Sequence, residues 1–491
     1  MIITMNKTRT RFAPSPTGYM HIGNLRTALF EFLIAKHEGG DFLLRIEDTD
    51  QERKVEGAVD VIYKTLKECG LNWDEGPDIG GDFGPYIQSE RLPMYKGYAE
   101  DLIKLGGAHY CFCSEEEIEA QRKEAESLGI SFKFNDPCKH LSAEEVQAKL
   151  DAGEPYVIRQ TIKDVGETYF DDEVYGRIEV DGDVLDEQIL IKSDGYPTYN
   201  FANIIDDHQM QISHVVRGNE YLSSTPKYNL IYDAYGWQRP TYVHVPPVMK
   251  DEHHKLSKRN GDASFQDLVA KGYLPEAIMN YIALLGWAPE TEQEIYTLDE
   301  LIKVFNIHRI SKSPAIFDID KLTWMNGVYL RNMDEETYYE TVRPYLEKAV
   351  HGPYNLKEIA KIIQPRIDIL NQIEESVDFF DTLVDYDLEM YRHKKMKTTP
   401  EVALKALKAS KQALEAFDQW DSMDALHECL LALPKELEMK NGQVLWPIRT
   451  AVSGKQFTPG GAIEIAFILG KDETLRRIQV GIDRLSEIVE E

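Results

Sequence analysis

The chain is short of cysteine, short of positive charge and without long apolar runs, and each shortage closes off a class of protein. Five cysteines in 491 residues do not make a disulfide framework, so the expected compartment is the cytoplasm. No stretch of about 18 apolar residues occurs, and no membrane span is expected. The opening MIITMNKTRTR is followed by no apolar core and small-residue cleavage site, which argues against a secretory signal. Lys and Arg number 55 against 84 Asp and Glu, a formal net charge of −29. By itself that balance speaks against a nucleic-acid partner. Phosphate binding needs only a local basic face, however, and Lys255–Arg259 and Arg392–Lys397 are two such concentrations. What remains is the composition of an ordinary soluble protein, 43% hydrophobic and 28% charged, long enough for several domains.

The stretch 9–24, RTRFAPSPTGYMHIGN, organises the rest. Two prolines flanking Ser15 rule out a regular helix before Thr17. After Gly23, Leu25, Ala28, Leu29, Phe32 and Leu33 recur at helical spacing, with Asn24 placed as the N-cap. A strand, a Pro/Gly turn and a helix N-terminus are the geometry that receives a nucleotide phosphate. Neither GK[ST] nor GxGxxG is present here, so the turn is not a Walker loop and ordinary dinucleotide binding is disfavoured. His21 and Gly23 offer instead a side-chain donor and a bare backbone. In DFLLRIEDTD (residues 41–50), Phe42, Leu43, Leu44 and Ile46 fit a buried strand with Glu47, Asp48 and Asp50 at its carboxyl end, where ligands bind in open α/β sheets.

Residues 54–70 and 92–106 read as helices. The texture changes over 109–190, which reads as an α+β insertion with strands near Tyr156–Ile162 and Glu187–Lys192. Sheet-like text resumes at Pro197–Ile205, Ile212–Arg217 and Thr241–Val245. Ala277–Gly286 is apolar all round and should be buried, and helical periodicity dominates beyond residue 333. The expected organisation is a first half-domain at 1–108, the insertion at 109–190, the second half at 191–250, a connecting region at 251–332 and a helical region at 333–491.

Cys111-Phe112-Cys113 and Cys138-Lys139-His140 are two pairs with one residue between ligands. On a strand, i and i+2 share a face, so three thiolates and an imidazole match a closed tetrahedral zinc site. The alternatives are three buried thiols with a surface histidine, or a disulfide. Lys255-Leu256-Ser257-Lys258-Arg259 reads either as a solvated basic loop or as a lysine loop that neutralises phosphates in a transition state. Arg11, Glu47, Tyr199, Asn203 and Arg217 fall near predicted strand ends. Each alone is explicable as a surface charge or a structural hydrogen bond. Together they suit a dicarboxylate that carries an amino group, since guanidinium binds carboxylate bidentately.

At this point PSPTGYMHIGN resembles the HIGH signature of class I aminoacyl-tRNA synthetases, with Asn24 where the last histidine often stands, and KLSKR resembles the second signature, KMSKS. The flanking RFAPSPTG, FLLRIEDTD, YPTYNFANIIDD, HVVRGNEYL and GYLPEAIMNYIALLGW are similar to the bacterial glutamyl-tRNA synthetases, as is LWPIRTAVSGKQFTPGG near the C-terminus. The resemblance implies a Rossmann-like parallel-sheet catalytic domain split by a zinc-containing insertion, followed by an all-α anticodon-binding region. It implies ATP-dependent activation of L-glutamate to glutamyl-adenylate, with Mg2+ accompanying ATP, and transfer to tRNA(Glu).

Carried over position by position, His21, Gly23, Lys255 and Lys258 are catalytic. Thr17, His21, Gly23, Asn24, Glu220, Leu256 and Lys258 lie against ATP. Arg11, Ala13, Ser15, Glu47, Tyr199, Asn203 and Arg217 line the glutamate pocket, and Cys111, Cys113, Cys138 and His140 hold the structural zinc. Relatives often carry Trp where this chain has Tyr221. The insertion is expected at the acceptor end of tRNA, and the family is usually monomeric. Competing readings are a glutaminyl-tRNA synthetase, an enzyme that also glutamylates tRNA(Gln), or an idle tRNA-binding protein. Catalysis by positioning and electrostatics agrees with the absence of any nucleophile–base pair in these motifs.

Overall fold

The structure is a computed structural model that describes residues 7–50, 55–163, 166–256 and 264–489. Its chain falls into two compact units, Met1–Val269 with Pro275–Asp318, and Ala270–Leu274 with Ile319–Glu491. Among the described residues no helix is long and apolar enough to cross a membrane.

In the first unit β1 (Arg9–Phe12), α1 (Ile22–His37) and β2 (Asp41–Leu44) follow the expected order. The two strands are parallel, Arg9 opposite Asp41 and Phe12 opposite Leu44. The helix is capped by His21, not by Asn24 as the sequence suggested: the Gly23 N–H donates to His21 Nδ1 at 3.0 Å. An imidazole nitrogen here does the work usually given to a short polar side chain. Beyond its first turn α1 is buried round nearly its whole circumference, from Leu25 and Arg26 to Ala35, so it is the central element of the unit rather than a surface helix.

The stretch 109–190 is less self-contained than its texture implied. Here β3 (Ala108–Cys111) pairs antiparallel with β4 (Val157–Gln160). After a hairpin of β5 (Glu167–Asp172) and β6 (Gly176–Asp181), β7 (Ile189–Ile191) completes a three-stranded sheet. The hairpin itself joins a different sheet. Beyond β8 (His214–Gly218), β9 (Thr241–Val245) runs parallel to β8 and pairs with Asp172 of β5, giving the order β6-β5-β9-β8.

The Ser213 N–H donates to the Arg9 carbonyl at 2.9 Å, and the Arg9 N–H to Ser213 Oγ at 2.8 Å, which sets β8 beside β1. The residues that follow β1, β2 and β8 therefore open on one sheet edge.

Pro197–Ile205 is not a strand. Residues Tyr199–Gln209 form a helix that buries Phe201, Ala202, Ile204 and Ile205 against Tyr95, Ile158, Leu190 and Tyr228. The β-branched and aromatic composition pointed one way and the spacing of those four residues the other; spacing prevailed. Pro275–Ala283 is a helix whose residues from Ala277 onward are all buried, as its apolar run predicted.

The described residues of the second unit from Ile319 onward form helices joined by turns and loops, with one isolated bridge between His393 and Thr398, and end in Ala462–Val489, which kinks at Gly470 (φ 77°, ψ 173°). Arg477 on this helix is fully buried and works as an internal clamp. Its guanidinium donates to the carbonyls of Phe379, Val452 and Phe380 at 2.7, 2.7 and 2.8 Å, and to Glu473 Oε1 at 2.6 Å. Arg477→Met keeps the volume but strands three buried carbonyls. It is expected to cost about 3 kcal/mol or more and to lower the denaturant midpoint of the helical unit; an unchanged midpoint would deny the clamp its role.

Candidate functional site

A cavity of about 510 Å³ opens at the carboxyl edge of β1, β2 and β8. It is lined by Arg11, Ala13, Ser15, Thr17, Asn24, Glu47, Tyr199, Arg217 and Glu220 from the set expected by sequence. It also takes in Glu31, Thr27 and Thr49, to which sequence reasoning gave no pocket role, with Asp50, expected at the ligand-binding end of its strand, and Tyr221, which stands where relatives often carry Trp. The turn after β1 supplies Ala13–Thr17, and the acidic end of β2 supplies Glu47. Arg217 closes β8, and Tyr199 opens the helix that replaced the expected strand. Asn203 is not on the cavity wall. It is buried one turn further along, where its amide donates to the Tyr199 carbonyl at 2.7 Å and fixes that turn.

Beneath the cavity lies a buried charge cluster. Asp207 Oδ1 accepts from both Arg11 Nε and Arg45 Nη1 at 2.8 Å. Arg11 Nη1 also meets Glu31 Oε1 at 3.1 Å, and Arg45 Nη2 meets Glu47 Oε1 at 3.0 Å. Asp206 accepts from Arg91 Nε at 2.7 Å, from the Tyr95 hydroxyl and from Gln88 Nε2. Burial pulls against charge throughout, and the partners decide each case. Burial would raise Asp207, but Arg11 and Arg45 hold it below the ordinary carboxylate range. Burial pushes Glu31 well above that range against the pull of Arg11, and pushes Glu47 to about 7 against Arg45.

Glu31 Oε2 has no hydrogen-bond partner among the described residues. Three guanidiniums, Arg11, Arg45 and Arg91, thus meet four carboxyl groups, Glu31, Glu47, Asp206 and Asp207, in this cluster. Arg217 adds a further guanidinium at the cavity wall, and Asp50 and Glu220 line the same cavity. Guanidiniums and carboxyl groups side by side can receive both a carboxylate and an ammonium.

The nucleotide-side residues are placed as follows. His21 stands at the N-terminus of α1. Because Nδ1 accepts from Gly23, the ring proton sits on Nε2, which donates to the Leu256 carbonyl at 3.1 Å. A Cβ at Gly23 would come within 3.2 Å of His21 Nδ1, so a side chain here would push on the capping imidazole. Leu256 is buried, and its N–H donates to the Val248 carbonyl at 3.1 Å. Lys255 is exposed and bridges to Met249. On the far side, Ser264 bridges to His21 and the Phe265 N–H donates to the Met20 carbonyl at 3.1 Å. The two signatures thus meet at His21, although Lys258 lies outside the described residues. His21, Gly23, Lys255 and Leu256 are not on the wall of the 510 Å³ cavity.

The cysteine pairs converge, with one change of ligand. Cys111, Cys113 and Cys138 group with Asp136, their ligand atoms all within 4.8 Å of one another. His140 is exposed and is not part of the group. The same-face argument holds for residues 111 and 113 but fails for 138 and 140. Pro137–His140 is a 3-10 turn, in which residues two apart point about 120° away from one another. Asp136 caps that turn, accepting the Cys138 N–H at 2.9 Å, and is held by His109 Nε2 at 3.0 Å. Burial pushes the Cys111 thiol up to about 11 and raises Cys113 as well, so a cation bound at these two sulfurs would have to draw their protons off. Three thiols and a carboxylate at this separation fit a tetrahedral soft-metal site.

The whole chain has close counterparts. The family model "tRNA synthetases class I (E and Q), catalytic domain" matches residues 7–324, and an "Anticodon binding domain" matches residues 337–482. A glutamate–tRNA ligase of Clostridium botulinum is 60% identical over 483 residues, 98% of this chain and 99% of that one. One of Clostridium tetani is 58% identical over 480 residues, 98% of each chain. A glutamate tRNA ligase from Elizabethkingia meningosepticum, solved in complex with its amino acid, superposes with a TM-score of 0.89 at 35% identity, covering 98% of this chain and 100% of that one. Cavity, paired signatures and helical C-terminal unit agree with these matches, and the chain belongs to the class I tRNA synthetases of the E and Q family.

Proposed function

We propose that the chain ligates L-glutamate to tRNA(Glu) through glutamyl-adenylate. The observation that carries this reading is the cavity in which Arg11, Tyr199, Arg217 and Glu47 surround one anion-seeking space beside the His21-capped helix. The side-chain carboxylate of glutamate would lie against the guanidiniums and its ammonium against Glu47. The α-carboxylate oxygen attacks the α-phosphorus of ATP, the bond to the β-phosphate breaks, and diphosphate leaves. The terminal ribose hydroxyl of tRNA then attacks the acyl carbon and AMP departs. No enzyme nucleophile is required; the chain orients the reactants and balances charge. The Nε2–H of His21, the bare backbone of Gly23, Lys255 and Lys258 serve the phosphates, together with Mg2+, which neutralises phosphate charge when bound. Thr17, Asn24, Glu220 and Leu256 complete the ATP site.

The sheet of β3, β4 and β7 is assigned to the acceptor end of tRNA. The helical unit is assigned to the anticodon, where Phe457 stands 85% exposed as a platform for an unpaired base. Aminoacylation of purified tRNA(Glu) and tRNA(Gln) with each amino acid tests the reading. Glutamate is expected on tRNA(Glu), and charging driven by glutamine would refute it.

A pH dependence follows from Glu47. As a carboxyl raised to about 7, it is charged above that pH and takes up a proton below it. The kcat/KM for glutamate is therefore expected to fall as pH drops through about 7 and to lose that inflection in Glu47→Gln. A profile unchanged by the substitution would remove Glu47 from the site.

For the metal, the structure favours Cys111, Cys113, Cys138 and Asp136 as ligands, in place of the His140 expected by sequence. A zinc ion there would cross-link β3 to the turn at 137–140. Metal analysis is expected to give about one zinc per chain, lost in Cys113→Ser and in Asp136→Ala but kept in His140→Ala. Loss in His140→Ala with retention in Asp136→Ala would return the fourth position to the histidine.

A further inference from the structure

Arg217 is held from behind by a buried relay that lies outside the two signatures. Its Nε–H donates to His244 Nε2 at 3.1 Å, and its Nη2 donates to Thr225 Oγ1 at 2.8 Å. His244 is fully buried, and its Nδ1 meets Asp172 Oδ2 at 2.6 Å. Arginine only donates, so His244 Nε2 must be an unprotonated acceptor and Nδ1 must carry the hydrogen. Asp172 is itself fixed: its Oδ1 accepts the N–H groups of Val174 and Tyr175 at 3.0 and 2.8 Å, and its Oδ2 also accepts the His244 backbone N–H at 3.1 Å.

Three elements supply the relay, β5, β9 and β8, and the single pairing of Asp172 with Tyr242 brings β5 alongside β9. Aromatic rings of Tyr221, Tyr228 and Tyr242 lie 5.3, 4.8 and 5.4 Å from the Arg217 guanidinium. The edge of the guanidinium formed by Nε and Nη2 is thus occupied, while Arg217 Nη1 makes no hydrogen bond to the described residues.

We infer that Asp172 and His244 are positioning residues, hydrogen-bonded in series, that set the rotation of Arg217 so that its free Nη1 edge faces the substrate carboxylate. The inference rests on the reading above that Arg217 binds glutamate. Protonation of His244 would place a second N–H against that of Arg217 and break the series. Burial first and Arg217 second oppose that protonation, against the pull of Asp172. The hairpin of β5 and β6, read from sequence as part of an appended insertion, thereby reaches the amino-acid site through one carboxylate.

Glutamate and ATP kinetics of four variants test this. In His244→Asn the amide can still meet Asp172 but falls short of Arg217, whereas His244→Gln places an oxygen where Nε2 stands. KM for glutamate is expected to rise about tenfold or more in His244→Asn, the loss of one charge-assisted hydrogen bond, with KM for ATP nearly unchanged. Most of the loss should be recovered in His244→Gln. Arg217→Gln should raise KM for glutamate at least as much, and the double variant Arg217→Gln/His244→Asn should be no worse than Arg217→Gln alone.

If Arg217→Gln leaves KM for glutamate at the parent value, the assignment of Arg217 fails and the relay loses its object. If Arg217→Gln raises it but His244→Asn does not, the relay alone is refuted. Equal defects in His244→Asn and His244→Gln at unchanged thermal midpoints, or additive losses in the double variant, would reduce His244 to packing and overturn the inference.

Discussion

One carboxylate oxygen, Asp207 Oδ1, receives hydrogen bonds from Arg11 and Arg45, and the site is arranged about that point. The three residues come from β1, from the segment after β2 and from the helix Tyr199–Gln209. Bringing them together therefore brings together the first strand pair and the second half of the sheet. Placing such charges out of water is costly, and breaking one partner of a buried pair costs about 3–5 kcal/mol. The cluster is better understood as fixing geometry than as adding net stability. It holds Arg11 at one orientation, and it ties the cavity floor to strands that have little freedom to move.

The same logic runs through the rest of the first unit. Arg91 reaches Asp206 and the carbonyls of Phe83 and Pro85, and Arg26 reaches the carbonyls of Leu285 and Pro246 from the middle of α1. Buried arginines spend their donors on backbone carbonyls and carboxylates that would otherwise be unsatisfied. The molecule carries a large negative charge, yet two guanidiniums, Arg11 and Arg217, stand on the wall of its cavity. Electrostatic function is set by which charges are buried together, not by their total.

What was legible in the sequence was whatever depends on local pattern. The Pro/Gly turn and α1, the acidic end of β2, the strand at Thr241–Val245 and the buried helix at Pro275–Ala283 all rest on spacing and on breaker residues. The cavity residues Arg11, Glu47, Tyr199 and Arg217 were legible because they sit at strand or helix ends, where α/β sheets bind ligands. What was hidden depends on long-range pairing. Nothing near Asp207 marks it as the partner of Arg11, 196 residues away. Nothing in ETYFDD says that Asp172 lies against His244 rather than in the insertion. The same-face argument for residues 138 and 140 fails for a local reason, the 3-10 turn at Pro137–His140, and the group the structure brings together has Asp136 beside the three cysteines. Tyr199–Gln209 was misread because composition outweighed period.

The arrangement also bears on how glutamate would be told from glutamine, which matches it in shape. An amide in place of the side-chain carboxylate brings no charge to a wall whose cation, Arg217, is held from behind by His244 and Thr225. The donors of Arg217 not held by His244 and Thr225 would then face a weaker acceptor and, on the amide nitrogen side, another donor. Sites that leave buried polar groups unmatched reject an analogue by about 10⁴ or more without a separate editing step. Water cannot easily repair the mismatch, because Tyr221, Tyr228 and Tyr242 crowd the guanidinium and the cavity floor is closed by the ion cluster. Selectivity for the acid over the amide thus follows from the same constraint that builds the floor. Charges sealed from water accept only a ligand that completes their balance.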